Sequence, residues 1–139
     1  MHLLDTDTLT YLHAGHPGVI QHLRELADPD VGTTIITKIE LLRGRFDFIL
    51  KAASNTELLR AQQLLLRTEE LLAQIMIVPI DETAATQFNR LQKVKGLPKI
   101  GRADLLIASI ALANQATVVT RNLRHFQRIP GLITTNWVD

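Results

Sequence analysis

The chain has 139 residues, a net charge of +1, 46% apolar residues and no cysteine. One domain fits that length, and disulfides and thiolate metal centres are excluded. No apolar run reaches the roughly 18 residues of a membrane span, and the start, Met1-His2-Leu3-Leu4-Asp5, has neither the basic region nor the long apolar stretch of a signal peptide, so a cytoplasmic protein without membrane contact is expected.

Residues 2–5 read as a short buried strand that ends on Asp5. Residues 7–14 and 17–27 read as helices broken at Gly15-His16-Pro17, and Asp28-Pro29-Asp30 is a turn. Residues 32–36 are β-rich and predict a second strand. Thr37 is then in place to cap a helix over 38–50, with Glu40 three residues later as in a capping box. A Leu-rich helix follows over 55–74, then a strand over 75–80. Asp81 caps a helix over 82–95, and Gly96-Leu97-Pro98 ends it. The helix over 102–114 is apolar on nearly every face and should be buried. Residues 117–120 form a fourth strand and 133–137 a short fifth. Strands alternating with helices predict a single α/β domain over 1–139, a three-layer α/β/α sandwich around a small, mainly parallel sheet.

Three acids stand at the ends of apolar segments: Asp5, Glu40 and Asp104. An unpaired carboxylate in such a place costs several kcal/mol, roughly, when buried. A divalent cation with hard oxygen ligands would relieve that cost. In open parallel sheets, sites form beyond the carboxyl ends of the strands. Asp5 and Asn122 fall there, Glu40 is in the first turn of the following helix, and Asp104 opens a helix whose exposed amides favour an anion. Each also has an ordinary role: Asp5 and Glu40 as helix-capping residues, Asp104 as a helix-dipole acid, Asn122 as a turn former. Asp7 fits the cap of the first helix better than Asp5 does.

From Arg90 to Arg128 there are eight basic residues and one acid, Asp104, a formal +7. A polyanionic substrate needs such a surround. The five histidines have no zinc spacing and read as structural or exposed; the role of His125, close to Asn122, is left open. No phosphate-binding glycine loop or Gly-x-Ser-x-Gly turn is present.

Four stretches in order carry a family likeness: Leu3-Leu4-Asp5-Thr6-Asp7; Thr37-Lys38-Ile39-Glu40-Leu41; Gly101-Arg102-Ala103-Asp104-Leu105-Leu106-Ile107-Ala108; and Thr120-Arg121-Asn122 with Phe126 and Ile129-Pro130-Gly131-Leu132. Together they resemble the PIN-domain ribonucleases, in particular the VapC-type toxins of bacterial toxin–antitoxin pairs. The resemblance implies metal-dependent hydrolysis of RNA, with Mg²⁺ or Mn²⁺ bound by Asp5, Glu40 and Asp104. Asn122 stands where such proteins often have a fourth acid, which favours one firmly held metal over two. Lys99, Arg102, Arg121 and Arg124 would position the RNA backbone. The likeness also implies a homodimer and a cognate antitoxin, with apolar surface on the helices over 38–50 and 55–74 to receive them. Two alternatives stand beside it. One is a catalytically weak PIN domain that serves mainly as partner of a DNA-binding antitoxin. The other is a phosphatase of the haloacid-dehalogenase type using Asp5 and Asp7, although its Asp-x-Asp-x-Thr pattern slips by one residue here.

Overall fold

Leu3 and Leu4, neighbours on the first strand, enter different cores. Side chains alternate across a strand, so one buried pair declares a sheet covered on both faces. The computed structural model, which describes residues 1–139, bears this out. Strand β1 (His2–Leu4) leads through helices α1 (Thr6–His13) and α2 (Pro17–Glu25) to β2 (Val31–Thr34). Helices α3 (Ile35–Leu50) and α4 (Asn55–Gln74) lead to β3 (Met76–Val78). Helix α5 (Glu82–Gln92), a 3₁₀ turn (Leu97–Ile100) and α6 (Arg102–Ala113) lead to β4 (Thr117–Val119). A single-turn helix, α7 (Leu123–Phe126), precedes β5 (Ile133–Thr135).

The strands lie in the order β3-β2-β1-β4-β5 and all pair in parallel. Leu3 pairs with Gly32 on one side and Val118 on the other. The chain fills the sheet outward from β1 in one direction, then returns to its other edge. The crevice beyond the carboxyl ends of β1 and β4 is therefore the switch point of the topology. On one face Leu3, Val78 and Val118 pack with Leu91, Leu105, Ile110 and Phe126 from α5, α6 and α7. On the other, Leu4 and Val119 pack with Leu9, Val19, Leu41, Leu72 and Trp137. The expected α/β/α sandwich is present. Its sheet is parallel throughout.

Two expectations change. Helix α3 starts at Ile35, and its cap is Thr34, whose hydroxyl accepts from the Thr37 amide at 3.2 Å. Thr37 lies inside the first turn, so Glu40 is not a capping-box residue. The cap of α1 is Asp5, whose Oδ1 accepts from the Thr8 amide at 2.9 Å, while Asp7 is in the first turn.

Helix α6 is buried along most of its length, as its composition predicts. The α3–α4 hairpin is different. Arg45 Nε donates to Thr68 Oγ1 at 3.0 Å and ties the two helices together. Yet Phe46, Phe48 and Leu50 on α3 and Leu58, Leu59 and Leu66 on α4 are all exposed. Much of the Leu-rich surface is thus not core. No helix is long and apolar enough to cross a membrane.

Candidate active site

Each of four segments delivers at least one polar side chain to the switch point. Asp5 follows β1 directly, and its amide donates to the Val119 carbonyl of β4 at 3.0 Å. That bond, with the cap to Thr8, fixes the carboxylate at the sheet edge, where the residue is only 8% exposed. Glu40 lies in the second turn of α3 and is exposed; its Oε1 accepts from the Thr6 hydroxyl at 2.8 Å. Asp104 is the third residue of α6, half-buried, behind Gly101, whose φ of 113° admits the sharp entry to the helix. Asn122 follows β4; its amide N–H donates to Thr120 Oγ1 at 2.9 Å.

Asp5, Thr6, Asp7, Glu40, Asp104 and Asn122 line one cavity of about 210 Å³, floored by Ile107 and Phe126. All three acids singled out from sequence, and Asn122, are therefore brought together. No three acidic or histidine side chains are already closed into a ligand set. Asp5 Oδ1 and Glu40 Oε1 are engaged with Thr8 and Thr6.

Burial pushes the Asp5 carboxyl above its ordinary range, against the hydrogen bonds from Thr120 and Thr8 that favour ionisation; the charge of Asp7 adds to the rise. The Thr120 hydroxyl oxygen accepts from the Asn122 main-chain amide.

The basic residues are placed otherwise. Lys99, Arg102, Arg121 and Arg124 are exposed, and none lines the cavity. The Arg102 guanidinium stands 4.9 Å from the centre of the Phe88 ring. Arg121 donates to both carboxylate oxygens of Asp139 at 3.2 Å and to the Tyr11 hydroxyl at 2.8 Å.

Sequence reasoning did not assign His125, Thr6 or Thr120 to the site. His125 Nδ1 is 2.8 Å from the Asn122 amide nitrogen and 3.4 Å from Asp104 Oδ2. The spacing of Asn122 and His125, three apart and so neighbours on one helical turn, was the available signal.

A parallel sheet with an acidic cavity at its switch point defines the class, and the family model for the PIN domain matches residues 2–132. The chain is 31% identical over 140 residues to "Ribonuclease VapC2" of Rickettsia felis, with 99% of this chain and 98% of the relative covered. It is 28% identical over 138 residues to the "tRNA(fMet)-specific endonuclease VapC" of Salmonella typhimurium, covering 97% of this chain and 96% of that one. Among solved structures it resembles VapBC2 from Rickettsia felis bound to a promoter DNA fragment, with a TM-score of 0.80, 28% identity and 98% of both chains covered. The chain belongs to the PIN domain family and, within it, to the VapC type. That membership displaces the phosphatase reading of Asp5 and Asp7.

Proposed function

We propose that the chain is the endoribonuclease toxin of a toxin–antitoxin pair, and that it hydrolyses RNA phosphodiester bonds with Mg²⁺ or Mn²⁺ held by Asp5, Glu40 and Asp104. One observation carries this reading: acids from three segments and Asn122 from a fourth line a single cavity. The donor set suits such an ion, being made of hard oxygens without sulfur or imidazole among the lining groups. When bound, the ion supplies positive charge to the phosphate and makes water a better nucleophile at neutral pH.

The protein's own groups do the rest. Asp5 is held by the Thr8 amide, and a neighbouring cation would offset the cost of its burial. Asp104 is the second direct ligand. Glu40, steadied by Thr6, binds the ion or orients the attacking water. Asn122 contributes a neutral oxygen to the ion or holds a water by hydrogen bond. Lys99, Arg102, Arg121 and Arg124 steer the RNA backbone. Lys99 and Arg124 have no ion pair within the chain, whereas Arg121 must share its guanidinium with Asp139. The work is done in the cytoplasm.

The test is cleavage of total cellular RNA by the purified protein, with mapped ends. Chelation by EDTA should abolish cleavage, and Mg²⁺ or Mn²⁺ should restore it. Asp104→Asn should lower the rate at least ~100-fold, the scale of the few kcal/mol a metal site contributes, with the circular dichroism of the fold unchanged. An Asp104→Asn protein that cleaves at the normal rate would falsify the assignment. Chelator-resistant cleavage would point to a histidine mechanism, and a folded but inactive wild type to the weak PIN domain with a binding role.

The partner follows from the hairpin. Several large apolar side chains on one pair of helices exceed what single scattered exposures explain. We assign this surface to a homodimer contact and a cognate antitoxin; the VapBC complexes to which the chain is similar support the second. Sedimentation of the isolated protein at micromolar concentration should give a dimer. A clean monomer would remove the dimer from this reading.

A further inference from the structure

The contact between Asn122 and His125 has a consequence for what the cavity contains. An amide nitrogen carries only donors, and an imidazole nitrogen carries either a proton or a lone pair. The 2.8 Å approach of Asn122 Nδ2 to His125 Nδ1 is therefore a hydrogen bond when Nδ1 is the acceptor, in a neutral ring with its proton on Nε2. With the nitrogen end turned to the ring, Oδ1 is the end of the amide left for the cavity that Asn122 lines. The opposite arrangement is well defined too. A proton on Nδ1 would donate to Asp104 Oδ2, now 3.4 Å away, and to an inverted Asn122 amide. The cavity would then receive an NH₂ group.

These two arrangements differ in kind. A carbonyl oxygen extends the oxygen set of Asp5, Glu40 and Asp104, whereas an NH₂ group repels a cation and attracts an anion. The pieces that hold the choice are anchored. The Asn122 main chain is tied to Thr120, and α7 is seated by Phe126, which is 1% exposed. His125 is thus carried to the amide by the same short helix that Asn122 begins.

We propose that His125 is a positioning residue. Its Nδ1 lone pair fixes the Asn122 amide with the oxygen toward the acids, making Asn122 a neutral fourth oxygen for the cation. This rests on the metal-site reading above. It explains how an amide serves where a fourth carboxylate would otherwise stand: the ring removes the amide's freedom to invert.

The experiment uses the full chain and two readouts. Mn²⁺ is titrated by calorimetry into metal-free wild type, His125→Ala, His125→Gln and His125→Asn, and the side-chain NH₂ resonances of Asn122 are recorded before metal is added. Groups that orient a ligand are worth roughly 10–100-fold in metal affinity. His125→Ala and His125→Gln should lose affinity on that scale, because the Gln amide reaches the Nε2 position and not Nδ1. His125→Asn, which can put an oxygen where Nδ1 stood, should recover most of it. The two Asn122 NH₂ protons should be well separated in wild type and His125→Asn, one of them hydrogen-bonded, and should draw together in His125→Ala. Wild-type Mn²⁺ affinity in His125→Ala with an unchanged Asn122 NH₂ spectrum would overturn the proposal and leave the metal site standing. Absence of Mn²⁺ binding by wild type would overturn both, so the two failures are distinct.

Discussion

Asp5→Asn should stop RNA cleavage and, in the same protein, raise the unfolding temperature measured in EDTA at neutral pH. The two effects have opposite signs because Asp5 serves the site at the expense of the fold. Its carboxyl is raised above the ordinary range, chiefly by burial. A raised carboxylate favours the folded state while it is protonated, and that contribution is lost as the pH climbs through the raised value. At neutral pH the ionised group is a burden on the metal-free protein. Asn removes the charge and keeps an oxygen for the Thr8 amide, and it is as good a helix cap as Asp. The gain should be a few degrees, the shift that about 1 kcal/mol produces in a domain of this size. It should shrink as the pH is lowered toward the Asp5 titration, where wild type also becomes neutral. Asp5→Ala separates charge from capping: it loses the Thr8 bond, about 1 kcal/mol, and should melt below Asp5→Asn. An Asp5→Asn protein that melts below wild type across this range would show that the ionised carboxylate stabilises the metal-free fold, and would overturn this reading.

Gly32→Ala should be the most damaging single methyl addition to the sheet. A Cβ at this position would stand 2.3 Å from the Met76 carbonyl oxygen and 2.8 Å from Met76 Cβ. The clash is with main chain that pairs directly with Gly32 across β2 and β3, so no side-chain rotation relieves it. Forcing atoms into a packed interior costs about 1–3 kcal/mol, and the upper end applies where backbone must move. A fall of about 10 °C in unfolding temperature is expected, with lower cleavage as well. The lost activity follows from the chain path, since β2 runs through Thr34 straight into α3, which carries Glu40. A melting temperature within ~2 °C of wild type would mean that the β2–β3 pairing yields more readily than this packing implies.

Much of this architecture can be read from residue order. Strand after helix, the buried α6 and the four site positions all follow from apolar patterning and from polar residues that interrupt it. The departures have local causes. Ile35 and Ile36 are β-branched and extend a β-rich run, so they read as strand although they are the first turn of α3. Asp5 and Asp7 are chemically equivalent caps two residues apart, and only the bond from the Asp5 amide to Val119, far along the chain, decides between them. Charged side chains are harder still. Nothing near Arg121 in sequence says that Asp139 and Tyr11 will hold it, or that Arg102 will lie over Phe88. His125 was legible in part: its spacing from Asn122 is local, whereas its contact with Asp104 spans 21 residues.

The strand order also governs timing. A polypeptide emerging from the ribosome presents Asp5, Glu40 and the paired strands β1, β2 and β3 well before Asp104, Asn122 and β4 exist as folded neighbours. Chains cut short anywhere before α6 carry two of the four site residues and cannot assemble the cavity. Under the proposed nuclease reading, translation itself thus acts as a safety catch: only a nearly finished copy carries all four residues.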